Sequence, residues 1–202
     1  DPCSNRIFIG SNKGLFYSDG ESNDLMAFPD QSKDKHLHNL SIRSICLDRK
    51  NRLWLGTNFG LLCYSFIDST YKHIYTEINN KESFTDNNVQ DVYEDREGNL
   101  WVATWGSGIR KYNEIKNTFE DYLNDSAQFK TPIANISLQI AETNIKGEED
   151  LLWIASDNPG FSCFHKTTKK FERYFTLWQD TRYLMLGHSR CLYYDPKDGL
   201  WI

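Results

Sequence analysis

The residue of this sequence that most suggests chemistry is a serine enclosed by two glycines. Ser107 lies between Gly106 and Gly108, directly after Trp105. A serine nucleophile needs a base within hydrogen-bond reach and a third group that orients the base. Ser107 has no such matched base, and no G-x-S-x-G, H-E-x-x-H or Walker sequence occurs in the chain. We therefore predict no catalytic residue.

Metal binding is the second kind of chemistry that the residue types allow. His36 and His38 are two residues apart, so a strand would place both rings on one side, but a solvated loop is the usual explanation of this weak pattern. Asp48, Asp95 and Asp195 hold the same position in their repeats, as metal ligands could. However, each stands at the start of a hairpin turn, where aspartate commonly accepts hydrogen bonds that close the turn. The sequence contains no calcium-binding loop of the D-x-[DN]-x-[DN]-G type. The five cysteines include no C-x-x-C pair and are read as small buried hydrophobes. We predict neither a metal nor another cofactor.

Ligand binding has better candidates, because several aromatic and polar residues fall in predicted loops. Trp105 stands beside two glycines, where its ring could be exposed and could stack on the apolar face of a sugar. The rings of Trp105, Phe59 and Trp178 could instead cover the ends of the strands. The predicted ligand-binding residues of these loops are Asn58, Phe59, Trp105, Ser107, Asp157, Asn158 and Trp178.

Three further candidates share one position, five residues before the recurring aspartates. These are Arg43, Gln90 and Arg190. Two arginines at equivalent positions could bind an anionic sugar or a carboxylate in bidentate fashion. They could equally pair with acidic residues of a neighbouring element.

The candidates recur because the sequence itself repeats. The phrase "EDREGNLWVATWGSGIRKYN" at 94–113 returns as "DRKNRLWLGTNFGLLCYS" at 48–65 and "EEDLLWIASDNPGFSCFH" at 148–165. A weaker copy begins at Arg6 and a shorter one at Asp195. The equivalent aromatic residues, at intervals of 46, 47, 52 and 48 residues, are Phe8, Trp54, Trp101, Trp153 and Trp201.

Each repeat contains four short apolar segments separated by turn residues. In the clearest copy these segments are 89–94, 100–104, 109–112 and 118–122. Four antiparallel strands in a unit of roughly 45 to 50 residues are typical of one blade of a β-propeller. We predict an all-β chain: a segment of about four four-stranded antiparallel blades, belonging to a larger propeller. Residues 1–202 form this single segment, with repeat units at 1–40, 41–87, 88–134, 135–187 and 188–202.

The second segment of each repeat is predicted to be buried on both faces. It is a continuous apolar run in which a tryptophan stands two residues before a glycine or alanine, as Trp54 does before Gly56. A large ring beside a small residue would let the next blade pack closely. We therefore expect Trp54, Trp101, Trp153 and Trp201 to be core residues and not ligand platforms.

Composition limits the partners. The chain has a formal net charge of −5 and no cluster of lysine and arginine, which argues against nucleic acid as a partner. No apolar run is long enough to span a bilayer. Because the sequence starts and stops inside a repeat, we expect it to be part of a longer protein.

These motifs resemble the two-component regulator propeller repeat, whose pattern is D-x-x-G-x-L-W-I-G-T followed by G-G-L. The copy at 89–112 carries most of it, the copy at 48–61 departs at Asn51, and the fourth copy departs at Pro159. The resemblance covers nearly the whole chain. WD40 and kelch repeats fit less well.

The resemblance implies the non-catalytic, periplasmic sensor region of a membrane-anchored histidine kinase, often a hybrid, of Bacteroides-type bacteria. It further implies an oligosaccharide or another small ligand and self-association through the parent sensor. Two alternatives remain. Related propellers include lyases of polysaccharides or cyclic peptides, for which His36 and His188 would be the candidate bases. A protein-interaction propeller is the other, and it would expose a large apolar patch.

Overall fold

The protein consists of short antiparallel strands, as the sequence predicted. The structure, a computed structural model, describes residues 6–20, 24–28, 40–74, 88–123, 136–157, 161–174 and 189–202. Its strands are β1 (Ile7–Ser11), β2 (Gly14–Ser18), β3 (Met26–Ala27), β4 (Ile42–Leu47), β5 (Arg52–Thr57), β6 (Gly60–Ser65), β7 (Thr70–Ile74), β8 (Val89–Glu94), β9 (Leu100–Thr104), β10 (Ile109–Asn113), β11 (Thr118–Tyr122), β12 (Ser137–Ala141), β13 (Leu151–Ser156), β14 (Phe161–His165), β15 (Lys170–Tyr174), β16 (Tyr193–Asp195) and β17 (Gly199–Trp201). Among these residues there is no helix of the length and apolar character that a membrane span requires.

The described residues include three four-stranded sheets that are successive in the chain, each with its strands in chain order. We name them after their central tryptophans: the Trp54 blade (β4–β7), the Trp101 blade (β8–β11) and the Trp153 blade (β12–β15). A three-stranded sheet, β1–β3, precedes them, and a two-stranded sheet, β16–β17, follows them. The chain forms two compact units, residues 1–89 and residues 90–202.

The turn between the first two strands of a blade is organised by its aspartate. In the Trp101 blade, Asp95 Oδ1 accepts hydrogen bonds from the backbone N–H groups of Glu97 and Asn99, at 3.0 and 2.8 Å. Asp48 accepts the equivalent two bonds in the Trp54 blade, both at 2.9 Å. The turn also needs one residue with positive φ, which is Gly98 (φ 82°) in one blade and Asn51 (φ 57°) in the other. Asparagine tolerates that left-handed conformation better than most residues, which explains the departure from glycine.

The aspartate also satisfies the buried indole N–H of the central tryptophan. Trp54 Nε1 donates to Asp48 Oδ2 and Trp101 Nε1 donates to Asp95 Oδ2, each over 2.8 Å. Both indole rings are 1% exposed, so an indole N–H without a partner would be costly. The prediction that these aspartates close turns is confirmed, and the indole bond is a second role that the sequence reading missed.

The Trp153 blade makes the same contact with a longer side chain. Its first turn contains the polar insertion at 144–150, and Glu148 Oε2 accepts the hydrogen bond from Trp153 Nε1 over 3.2 Å. The Thr143 hydroxyl donates to the same carboxylate oxygen over 2.5 Å. The extra methylene of glutamate thus keeps the carboxylate at the indole although the turn is longer.

The middle strands are buried on both faces, as expected. Every residue of β9 is buried, and so are all but the first residues of β5 and β13. Trp54 and Trp101 are core residues as predicted, and Trp153 is 9% exposed. Trp201, however, is 59% exposed, so the prediction of a core residue is wrong there. Among the described residues, its sheet consists of the two strands β16 and β17, in contrast to the four strands of the blades whose tryptophans are buried.

Within the first unit, the close approach of sheets depends on a glycine. A Cβ atom added at Gly10 of β1 would lie 2.7 Å from Cγ2 of Ile42 on β4. An aromatic cluster extends this packing, with the Phe28 and Tyr64 rings 4.9 Å apart in an edge-to-face arrangement. Gly10, two residues after Phe8, is therefore a small residue against which a neighbouring sheet packs closely, as we predicted for this position of the repeat.

Within the second unit, neighbouring sheets are joined by a recurring hydrogen bond from strand to side chain. Ile140 N on β12 donates to Asp91 Oδ2 on β8 over 2.9 Å. Leu192 N donates to Gln139 Oε1 of β12 over 2.6 Å. Asp91 and Gln139 hold equivalent positions in their blades, so the same device fixes each first strand to the one before it.

The first and last sheets of the described residues have fewer than four strands. In the first, β1 pairs with β2 and β2 with β3, and in the last, β16 pairs with β17.

Candidate functional site

The loop between β9 and β10 presents Trp105 on a fixed backbone. Thr104 N donates to Gly108 O over 3.0 Å, and the Thr104 hydroxyl donates to the same carbonyl. Ser107 N donates in turn to Thr104 Oγ1 over 2.9 Å. This hydrogen-bonded loop leaves Trp105 43% exposed, while Trp101 on the preceding strand is 1% exposed. A half-exposed ring on a rigid support is the arrangement that stacking on a sugar requires.

Ser107 belongs to the same loop but is buried, at 9% exposure. Its backbone N–H is engaged by Thr104, as described above. Ser107 therefore supports the position of Trp105, and the sequence expectation that it faces a ligand is not tested by these contacts.

The equivalent loop of the Trp54 blade presents Phe59, which is 57% exposed. Its N–H donates to Thr57 Oγ1 over 3.1 Å, and its carbonyl lies 3.1 Å from His73 Nε2. Asn58 fixes this loop to the start of β4, because Asn58 Oδ1 accepts a 3.0 Å hydrogen bond from Ser41 N. The recurring Ser or Thr before each loop thus has one role, which is to close the loop.

Arg43 lies where the pairing of β4 with β5 shifts register, between Ile42 and Ser44, and it is exposed. A bulge turns the side chain of the extra residue away from the alternation of the strand. A register shift occurs at the equivalent place in the Trp153 blade, between Ser137 and Gln139. Arg190 is also exposed and Gln90 is half-buried, so two of the three candidates at this position present cations to solvent.

The remaining predicted residues are distributed as follows. Asp157 is half-buried, and its N–H donates to Ile136 O over 3.3 Å, the counterpart of the bond from Asn58 N to Ser41 O. Asn158 and Trp178 lie outside the described residues, as do the histidines at 36, 38 and 188. The described candidates of the second unit lie in or near three sheets that are successive in the chain. They are Gln90, Trp105 and Ser107 in the Trp101 blade, Asp157 directly after β13, and Arg190 before β16.

The cysteines are partly as expected. Cys63 is 6% exposed and Cys163 is 0% exposed, whereas Cys46 is half-buried and Cys191 is exposed. Among the described residues, none of these four forms a disulfide bond, and Cys3 lies outside the described residues.

Sequence reading missed a buried ion network between the Trp101 and Trp153 blades. Lys166, 7% exposed, donates to Glu97 Oε1 and to Glu142 Oε1, both over 2.9 Å, and its Nζ lies 3.9 Å from Asp95 Oδ2. Arg96 N donates to Glu142 Oε2 over 2.8 Å. Burial lowers the pKa of Lys166, but its hydrogen bonds to Glu142 and Glu97 outweigh burial and raise the pKa above the ordinary value. These residues lie 24 to 69 positions apart, and no local pattern reveals such pairs.

Comparison with known proteins supports the blade assignment. Residues 36–59 and 83–106 match the family model of the two component regulator propeller. The extracellular domain of a protein described as a hybrid two component system from B. thetaiotaomicron superimposes with a TM-score of 0.73 at 17% identity, over 97% of this chain and 25% of that one. No curated protein sequence matches the chain.

Two enzymes share the fold at lower similarity. An ancestral GH74 enzyme superimposes with a TM-score of 0.64 at 17% identity, over 96% of this chain and 26% of that one. A catalytically inactive virginiamycin B lyase from Staphylococcus aureus, solved with quinupristin, gives 0.58 at 12% identity, over 86% of this chain and 53% of the lyase. The chain thus spans between a quarter and about half of the structures that it resembles.

Sheets of four antiparallel strands in chain order, with these structural neighbours, define a β-propeller segment. Its repeats around Trp54 and Trp101 match the model of the two-component regulator propeller.

Proposed function

We propose that this propeller segment is the extracytoplasmic, non-catalytic sensing part of a two-component histidine kinase, and that it binds a glycan-derived oligosaccharide. The observation that carries the proposal is the match of two repeats to the two-component regulator propeller. The similar structure with the highest TM-score given above is itself the extracellular domain of a hybrid two component system, which supports the location outside the cytoplasm.

In each unit, the loop between the second and third strands of a blade carries proposed ligand-binding residues. In the second unit, Trp105 supplies a ring that is 43% exposed on a loop that Thr104 closes. In the first unit, Phe59 supplies a ring that is 57% exposed on a loop that Thr57 closes. Sugars need both an apolar face and hydrogen-bonding groups, and the exposed guanidinium of Arg190 could bind a uronic carboxylate. Ligand binding would be signalled to a membrane-anchored kinase in the parent protein through self-association of the sensor. Nucleic acid is not a partner in this proposal.

The test is calorimetric titration of the chain with a panel of neutral and acidic plant and host oligosaccharides. Trp105→Ala should weaken binding of the ligand about 10-fold or more, because one stacked ring contributes about 1.5 kcal/mol or more. Ile115→Ala is the matched control. Ile115 is 98% exposed in the turn between β10 and β11, at the opposite end of the same blade.

The outcome separates the two parts of the proposal. Weakened binding in the Trp105 variant and unchanged binding in the Ile115 variant would support the loop end as the site. Equal affinities for the two variants would contradict this site. If no oligosaccharide of the panel binds to the complete sensor, the glycan ligand is wrong.

A further inference from the structure

Three ligand atoms typical of a metal site lie together on the outer strands of the Trp153 blade. Cys163 and His165 stand two residues apart on β14, and Glu172 on β15 is the cross-strand partner of Cys163. Residues two apart, and residues directly opposite in an antiparallel pair, lie on the same face of a sheet. The sulfur, one imidazole nitrogen and one carboxylate oxygen all lie within 4.8 Å of one another.

We propose that Cys163, His165 and Glu172 bind a divalent transition metal ion, with zinc(II) as the preferred ion. Thiolate, imidazole and carboxylate together form the ligand set of zinc rather than of calcium or magnesium, which prefer oxygen. Three protein ligands leave the fourth tetrahedral position for water.

The distances between the ligand atoms are those of a tetrahedral zinc site. Zinc bonds of about 2.3 Å to sulfur and 2.0–2.2 Å to nitrogen and oxygen set tetrahedral separations of about 3.6 Å for S···N and 3.4 Å for N···O. The Cys163 sulfur lies 3.9 Å from His165 Nε2, and His165 Nε2 lies 3.4 Å from Glu172 Oε2. Small side-chain rotations therefore suffice to bring all three atoms to bonding distance of one ion.

The second imidazole nitrogen faces a carboxylate that is already held in place. Asp150 Oδ1 accepts hydrogen bonds from the Thr167 N–H and hydroxyl, at 2.8 and 2.7 Å, and Asp150 Oδ2 lies 3.9 Å from His165 Nδ1. A carboxylate behind a metal-binding histidine favours the tautomer whose Nε2 is free to coordinate. At 3.9 Å this influence is electrostatic and not a direct hydrogen bond.

The burial of the three ligands suits a site that an ion can enter. Cys163 is fully buried, whereas the side chains of His165 and Glu172 are 33% and 56% exposed. An ion can therefore reach the sulfur from the side of the carboxylate. On binding, the thiol proton is released to solvent and a metal–thiolate bond forms.

The other blades show that this set is not part of the repeated architecture. At the positions of Cys163, His165 and Glu172, the Trp54 blade has Cys63, Ser65 and Lys72, and the Trp101 blade has Lys111, Asn113 and Glu120. The fold therefore needs neither the histidine nor the glutamate here. These blades also provide substitutions that the blade architecture accepts.

The proposal can be tested by titrating the metal-free chain with cobalt(II), whose bond to a thiolate gives a near-ultraviolet charge-transfer absorption. We expect this absorption to saturate at one cobalt per chain and to disappear when zinc is added in competition. Cys163→Ser should abolish it, whereas Cys63→Ser, at the same position of the Trp54 blade, should leave it unchanged. His165→Asn introduces the residue of the Trp101 blade and should weaken zinc binding at least 100-fold.

A second readout follows stability. Zinc should raise the unfolding temperature of the native chain but not that of the His165→Asn variant, because an ion that binds only the folded state stabilises it. Asp150→Asn should weaken zinc affinity by about 10- to 100-fold. The proposal is wrong if a folded native chain gives no cobalt–thiolate absorption, or if Cys163→Ser retains it. An equal loss in Cys63→Ser would also contradict it.

Discussion

Asp95 accepts a 2.8 Å hydrogen bond from the indole N–H of Trp101, and both side chains are withdrawn from water at the centre of one blade. The same carboxylate holds two backbone N–H groups of its turn and lies 3.9 Å from Lys166 Nζ of the next blade. One side chain thus joins the turn, the tryptophan core and the boundary between two blades.

The first prediction concerns this relationship. Asp95→Ala should lower the free energy of unfolding by about 3 kcal/mol or more, because it leaves the Trp101 N–H and two backbone donors without their acceptor. Asp195→Ala is the matched control. Asp195 closes the equivalent turn of β16–β17 by accepting from Lys197 N and Asp198 N, and its loss should cost about 1 kcal/mol or less. Urea unfolding followed by circular dichroism measures both, and similar costs would contradict a special role for Asp95.

The second prediction concerns Lys166. Lys166→Met should lower the free energy of unfolding by about 3–5 kcal/mol, since it removes the ammonium group that faces the buried carboxylates of Glu142 and Asp95. Lys170→Met, at an exposed position of the following strand, should have little effect. Adding Glu142→Gln to Lys166→Met should recover part of the loss. A double variant no more stable than Lys166→Met alone would argue against the network.

The network also predicts how stability depends on pH. Because the pKa of Lys166 is raised in the folded protein, its contribution is complete below pH 10.5 and is lost as pH rises through the folded-state pKa. Unfolding temperatures of the native chain and of Lys166→Met should therefore converge at high pH. A constant difference between the two would show that packing of the lysine chain, rather than its charge, stabilises the protein.

The fourth prediction concerns a tyrosine beside the network. Burial, and then the charge of Glu142, raise the pKa of Tyr93 to about 12. The difference in ultraviolet phenolate absorbance between the native chain and Tyr93→Phe should titrate near pH 12, and near pH 10 in denaturant. Since the folded state keeps this proton longer, stability falls as pH rises from about 10 to 12. A native difference titration near pH 10 would contradict the burial effect.

The fifth prediction concerns the loop that carries Trp105. Gly108 has φ +67°, and a Cβ atom there would lie 2.5 Å from Tyr122 O. Gly108→Ala should therefore cost more than the 1–2 kcal/mol or so of a left-handed conformation, and it should displace the loop. Gly147→Ala separates the two effects, because Gly147 also has positive φ but has nothing within 4 Å of the added atom. Equal costs in urea unfolding would show that the contact with Tyr122 is not limiting.

The strands could be predicted from sequence because their signals are local. Alternating and continuous apolar runs, bounded by glycine and asparagine turns, led to the bounds of β8 and β9 and to those of β10 and β11 within one residue. The burial of Trp54 and Trp101 followed from the small residue two positions later. Trp201 has the same local signal but is exposed, because burial on both faces needs a second sheet as well as a strand.

What sequence reading missed depends on contacts between distant residues. The bond from Trp101 to Asp95 could have been found, since an aspartate stands six residues before the tryptophan in both 48/54 and 95/101. Lys166 offers no such signal, because its partners Glu142 and Glu97 lie 24 and 69 residues away in the chain. Asn58 was predicted as a ligand residue, and its amide oxygen is used to tie the loop to Ser41.

The short spacing between aspartate and tryptophan has a consequence for how such chains can diversify. A tandem duplication that copies one repeat copies the acceptor, the turn and the indole together, so the new blade can complete its own interior. The Trp153 blade shows the tolerance of this arrangement, since its turn gained residues and a glutamate compensates by reaching farther. Because the residues of the blade interior are copied together, the connecting loops can diverge in length and composition among copies of the same ancestral repeat.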